Sequence, residues 1–186
     1  MSTILITGAS GGLAQEMVKL LPDDQLILLS RNKETLAQLY GNHPRAELVE
    51  IDITDSQALE ELVAELYQRY GKIDVLINNA GYGIFEDFDK ISDQDIHQMF
   101  EVNTFALMNL SRLVAARMKA TRKGHIINIV HFSFPLQQIF LTAFAVLFPD
   151  FIRRHLRRYQ GGILMQRTGR GDGFDDFRRR HARPTA

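Results

Sequence analysis

The chain has 186 residues, with 22 Lys+Arg against 22 Asp+Glu, 45% hydrophobic residues and no cysteine. That length suits one domain with a real core, and the missing cysteines exclude a disulfide scaffold, a thiolate nucleophile and a Cys-ligated metal. The neutral total hides a split: residues 1–130 carry 12 Lys+Arg and 18 Asp+Glu, whereas residues 131–186 carry ten Arg, four Asp and eight of the twelve Phe, with neither Lys nor Glu.

Thr3 to Thr7 is a short apolar strand, and Gly8-Ala9-Ser10-Gly11-Gly12 follows at once. Leu13, Met17, Leu20 and Leu21 then repeat at helical spacing until Pro22. Gln25 to Ser30 reads as a second buried strand, Asn32 to Tyr40 as a short helix and Ala46 to Ile51 as a third strand. Thr54 with Gln57 has the spacing of a capping box, and Leu59, Leu62, Val63, Leu66 and Tyr70 share one face of a helix ending at Gly71. Ile73 to Ile77 is a fourth strand. Ser92 with Asp95 caps the longest helix, which should run to about Thr121, and His125 to Val130 is a fifth strand after Gly124.

Apolar strands alternating with helices predict an α/β fold, a parallel sheet covered on both faces, and right-handed crossovers make it doubly wound. Ligands of such sheets bind beyond the carboxyl ends of the strands. The informative residues should therefore follow strands, beginning with Gly8, Gly11 and Gly12. Glycine permits a tight turn and the close approach of a pyrophosphate, and the helix behind it offers N–H groups and the positive end of its dipole. A turn needing glycine only for its backbone angles is the plainer alternative, but the strand–turn–helix setting favours a cofactor.

Thr7-Gly8-Ala9-Ser10-Gly11-Gly12-Leu13-Ala14 resembles the TGxxxGxG motif of the short-chain dehydrogenase/reductase family, with Ala14 in place of the last glycine. Asp52-Ile53 is similar to that family's adenine-contacting site after strand three. Asn78-Asn79-Ala80-Gly81 matches its NNAG motif, and Asn103 in Val102-Asn103-Thr104 matches its catalytic asparagine. The resemblance covers residues 1–130. It implies a Rossmann-type cofactor domain, carbonyl/alcohol interconversion, and cofactor contacts from Thr7, Gly8, Ser10, Gly11, Gly12, Leu13, Asp52, Ile53, Asn79, Ala80 and Gly81.

Strand two ends in Ser30-Arg31-Asn32 rather than in an acid. An acid would repel a ribose 2′-phosphate, whereas a guanidinium can bind it bidentately. The expected cofactor is thus NADP(H), with Ser30 and Arg31 as ligands and Ser10 adding a contact; the alternative is that Arg31 only solvates a loop. Asn103 lies within the apolar stripe of the long helix, so its amide needs specific partners. It is either a structural residue bonded to a neighbouring backbone or, as the resemblance implies, the support of a proton-relay water. Apolar residues on other faces of this helix (residues 92–121) suggest that it also packs against a second subunit.

The resemblance implies a Ser after strand five and a Tyr-x-x-x-Lys pair beyond it, the Lys lowering the pKa of a phenol that otherwise sits near pH 10. No such pair occurs: the tyrosines are Tyr40, Tyr67, Tyr70, Tyr82 and Tyr159, and no lysine follows Lys123. By the family's spacing, the three positions fall at His131, Phe144 and Phe148. Ser133 is a displaced candidate for the serine, and His131 reads as a loop histidine rather than a general acid.

Residues 131–186 are expected to be an atypical Phe- and Arg-rich tail, helical over about 136–158 and without order beyond. Its apolar run, Ile139 to Phe148, is half of what a membrane span requires, and its arginines lack the organised aromatics of a nucleic-acid platform. The tail or a partner must cover the edge of strand five. Loss of every motif at one point, together with the change in composition, suggests a shifted reading frame near residue 130; a naturally truncated or divergent protein is the rival. Met1 runs into Ile4-Leu5-Ile6 without a charged leader, so a cytoplasmic protein is expected.

Overall fold

The computed structural model describes residues 1–84, 86–129 and 163–166. Their elements are β1 (Thr3–Thr7), α1 (Gly12–Lys19), β2 (Gln25–Ser30), α2 (Lys33–Tyr40), β3 (Ala46–Glu50), α3 (Ser56–Tyr70), β4 (Val75–Asn78), α4 (Asp93–Phe100), α5 (Leu107–Thr121), β5 (His125–Ile129) and β6 (Ile163–Gln166). The sheet runs β3-β2-β1-β4-β5-β6. Its first five strands are parallel, as their apolar runs separated by helices predict.

Successive strand residues face opposite sides of a sheet, and β1 shows this directly. Ile4 and Ile6 join Leu26 and Leu28 against Met17 and Val18 of α1 and Leu36 and Tyr40 of α2. Leu5 joins Ile27 and Leu29 on the other face, under Leu59, Leu62 and Leu66 of α3 and Leu110 and Val114 of α5. A central strand buried on both sides has no polar alternation to show, which is why it reads as an unbroken apolar run. Strand order reverses direction at β1, with β2 on one side and β4 on the other. Thr7 pairs in register with Leu29 and Ile6 with Ile77, so the three carboxyl ends finish at one level. The gap beyond those ends is the switch-point crevice of a doubly wound sheet.

Four details differ from the sequence expectation. The cap of α3 is Asp55, whose carboxylate accepts from the Gln57 and Ala58 N–H groups, and not Thr54; Thr54 instead donates to Asp52. The strand expected over Ile73 to Ile77 is paired over Val75–Asn78. The long helix stops at Thr121, as expected, but its left-handed cap is Arg122 (φ 54°) and not Gly124. That helix is also not uniform: Glu101–Ala106 is wound as a π-helix between α4 and α5. A π insertion adds a residue to the turn and re-aims the side chains around it, often at functional sites; here it contains Asn103.

In the tail, Ile163–Gln166 pairs antiparallel with β5 and lies along its outer edge, where the sequence called for a covering segment and no regular structure was expected. The expected helix over about 136–158, Ser133 and His131 lie outside the described residues, as does the rest of the tail. No helix among the described residues is long and apolar enough to cross a membrane.

Candidate functional site

A cleft of about 340 Å³ opens beyond the carboxyl ends of β1, β2, β3 and β4. It gathers residues that the sequence scatters between positions 8 and 81: Gly8, Ser10, Gly11, Gly12 and Leu13 from the turn after β1; Ser30 and Arg31 after β2; Asp52 and Ile53 after β3; and Asn79, Ala80 and Gly81 after β4. Leu29, Ile51, Tyr82 and Val102 also line it. Val102 precedes Asn103 within Val102-Asn103-Thr104, and the other three carry no motif of their own. Leu29 is the last residue but one of β2, Ile51 directly follows β3 and Tyr82 is the residue after the NNAG turn, so only strand register and chain path could have pointed to them.

The floor is built from backbone held by side chains. Thr7, 2% exposed, does not line the cleft but lies behind it. Its hydroxyl oxygen accepts from the N–H groups of Asn79 (3.0 Å) and Ala80 (2.9 Å). In return, the Asn79 side-chain amide donates to the carbonyls of Thr7 and Gly8, each at 3.1 Å. Four bonds therefore lock the end of β1 to the end of β4. Thr7→Val keeps the shape but leaves two inward-facing N–H groups unpaired. Unsatisfied groups of this kind cost about 1–3 kcal/mol each, so a denaturant melt should show a loss of about 2 kcal/mol or more.

Gly8 sits at φ +63°, and a Cβ there would lie 2.7 Å from the Ala80 Cα and 2.9 Å from the Ala80 nitrogen. The two turns approach so closely that only glycine fits. Beyond it, Gly11 begins α1 with no side-chain cap and no acid in the first turn. A helix start left open in this way presents N–H groups and a partial positive charge to an anion.

On the β2 side the hydroxyls of Ser10 and Ser30 are 3.1 Å apart. Arg31 is exposed beside them, with no hydrogen bond or salt bridge among the described residues. Asp52 accepts from the Thr54 N–H (2.9 Å) and hydroxyl (2.8 Å). The backbone bond from Thr54 does most to hold its carboxyl below the usual range, with help from the Thr54 hydroxyl and the Arg31 charge against partial desolvation. Asp52 is therefore ionised at neutral pH.

Asn103 reaches the rim from the π-helical turn. Its Oδ1 accepts from the Tyr82 N–H at 3.0 Å and its Nδ2 donates to the Tyr82 carbonyl at 2.7 Å. Both ends of the amide thus hold the stretch of chain that follows Gly81. Deeper in, the Asn78 Nδ2 donates to Asn128 Oδ1 (2.6 Å) and Ser111 Oγ (2.9 Å), tying β4 to β5 and α5. No group of three or more His, Asp or Glu side chains gathers among the described residues as a metal site requires.

The sequence matches the family model described as short chain dehydrogenase over residues 2–133. It is 29% identical over 173 residues to the probable short-chain type dehydrogenase/reductase VdlC of Helicobacter pylori, covering 89% of this chain and 63% of VdlC. It is 30% identical over 130 residues to the NADP-dependent 3-hydroxy acid dehydrogenase YdfG of Escherichia coli O6:H1, covering 68% of this chain and 52% of YdfG. Among solved structures, a metagenomic short-chain oxidoreductase in complex with NADP superposes with a TM-score of 0.66 at 28% identity, over 73% of this chain and 65% of that one. The chain thus spans little more than half the length of YdfG and under two-thirds of VdlC.

Proposed function

We propose, on the premise that the chain belongs to the short chain dehydrogenase family, that its cleft binds NADP(H) for the interconversion of a small-molecule carbonyl and alcohol. The observation that carries this is the pairing of an uncapped helix start behind a glycine turn with an exposed guanidinium, Arg31, after β2, that makes no salt bridge among the described residues. One anion site suits a pyrophosphate and the other a ribose 2′-phosphate. Similarity to an NADP-dependent relative and to an NADP-bound structure supports the same cofactor.

In this reading the Gly8–Leu13 turn and the first N–H groups of α1 hold the pyrophosphate. Ser10, Ser30 and Arg31 hold the 2′-phosphate, Asp52 and Ile53 border the adenine, and Asn79, Ala80 and Gly81 form the wall toward the nicotinamide. The bound dinucleotide supplies or accepts the hydride. Asn103 fixes the backbone at Tyr82 and so shapes the rim on the substrate side. What these 186 residues lack is a Tyr-x-x-x-Lys pair to move the proton, so turnover by this chain should be impaired. That absence is also the observation favouring a second reading, a non-catalytic NADP(H)-binding module. Phe105 and Met108, 55% and 54% exposed on the long helix, are the face we assign to packing against a second copy. The reading is of a cytoplasmic protein.

Two signals test this. Titration with NADPH should give a saturable change in its fluorescence, and its absence would remove both readings. With a panel of aldehydes and ketones, NADPH consumption should be far below the 1–1,000 per second typical of enzymes. Consumption at an ordinary rate would show that the chain supplies its proton from another group and would eliminate the binding-module reading.

A further inference from the structure

Tyr40 ends α2, well outside every motif noted above, and it is 7% exposed within the core on one face of the sheet. Its hydroxyl donates to the Ala9 carbonyl at 2.7 Å, across 31 positions of sequence. Ala9 is the residue between Gly8 and Ser10, has no exposed surface, and gives its own N–H to the Leu29 carbonyl at 2.9 Å. The Ala9 backbone is therefore bonded on both sides, by β2 below and by α2 from the side.

A trans peptide is planar, with its C=O and N–H pointing in opposite directions. Fixing the Ala9 carbonyl toward Tyr40 thus fixes the Ser10 N–H away from it, and no group among the described residues takes that N–H. The next carbonyl, that of Ser10, accepts from the Gln15 side chain at 3.2 Å. Ser10 is consequently held by tethers from two helices while its hydroxyl stands 3.1 Å from that of Ser30. Burial pushes the Tyr40 phenol above its ordinary value, so it remains a donor throughout the neutral range.

We propose that Tyr40 is a positioning residue for cofactor discrimination: by holding the Ala9–Ser10 peptide it sets the Ser10 hydroxyl and N–H at the 2′-phosphate subsite. This rests on the reading of Ser10, Ser30 and Arg31 as that subsite. Tyr40 touches no ligand itself. It acts through Ser10, so its removal should change the preference for a 2′-phosphate and not merely the stability of the chain.

The probes are adenosine 2′,5′-bisphosphate and 5′-AMP, titrated calorimetrically into the chain and into Tyr40→Phe in the cold. Phenylalanine keeps the packing and deletes only the donor. A net hydrogen bond corresponds to about a two- to tenfold change in an equilibrium, so Tyr40→Phe should bind the bisphosphate about two- to tenfold more weakly, with AMP changed by less than about twofold on the same scale. Equal weakening of both probes would reduce Tyr40 to a structural role and overturn the proposal, as would no change in either. If the unaltered chain binds the two probes equally well, the subsite reading itself fails and takes the proposal with it. If it prefers the bisphosphate and Tyr40→Phe retains that ratio, only the role of Tyr40 fails. Should Tyr40→Phe not fold, Gln15→Leu releases the other tether from a half-buried position. The same selective loss is expected there, and an unchanged ratio would contradict the claim that these tethers set discrimination.

Discussion

Arg31→Asp should weaken NADPH binding about 100-fold while leaving NADH within a few-fold of its starting affinity. The substitution removes charge-assisted bonds worth about 1.5–3 kcal/mol and sets a carboxylate against a phosphate, and about 2.7 kcal/mol corresponds to the 100-fold. For NADH the same carboxylate can accept from the free 2′-hydroxyl, the arrangement used by NAD-selective sheets of this type. Because Arg31 is exposed, the NADPH effect should shrink as salt is raised. The fold should not be at stake, since Arg31 makes no hydrogen bond or salt bridge among the described residues. Equal losses for both dinucleotides would mean that Arg31 does not read the 2′ position.

Gly8→Ala should be the most damaging single change in the turn. The new methyl would meet the Ala80 Cα at 2.7 Å and the Ala80 nitrogen at 2.9 Å, on a residue at φ +63°. Both neighbours are backbone and cannot swing aside, so either Gly8 abandons its conformation or β4's turn moves. Left-handed strain on a non-glycine residue costs about 1–3 kcal/mol and overpacking a further 1–3 kcal/mol. A total of about 3 kcal/mol or more lowers the melting temperature of a chain this size by roughly 6–12 °C. The Thr7–Asn79–Ala80 bonds depend on the same approach, so NADPH fluorescence changes should vanish together with stability. A melting temperature within about 2 °C of the unaltered chain, on the same scaling, would show that the two turns are not packed as described.

Much of this architecture was legible in the sequence because its signals are local. An apolar run such as Leu26 to Leu29 can only be buried on both faces, and a glycine cluster between strand and helix marks a turn that a ligand can approach. The cleft was legible for a related reason: in a parallel sheet every motif that follows a strand ends at the same edge, so Gly8, Arg31, Asp52 and Asn79 converge by topology alone. What escaped were choices made between elements. Asp55 rather than Thr54 caps α3 because Asp52 engages Thr54 first. The π-helical turn at Glu101–Ala106 leaves no mark in hydrophobic periodicity, yet it carries Asn103 to the Tyr82 backbone. The bond from Tyr40 to Ala9 joins a helix end to a turn far away in sequence, and a tyrosine in an apolar stripe reads as core until its hydroxyl is followed. The antiparallel strand Ile163–Gln166 lies in a segment whose composition gave no strand pattern at all.

The central claim is that the switch-point crevice recognises a dinucleotide by its 2′-phosphate. Parallel calorimetric titrations of the unaltered chain with NADP⁺ and NAD⁺, in one buffer at low salt, test it most directly. The account predicts one site per chain and binding of NADP⁺ at least about tenfold tighter, the equivalent of one charge-assisted contact. Equal affinity for the two, or no heat with either, would contradict it.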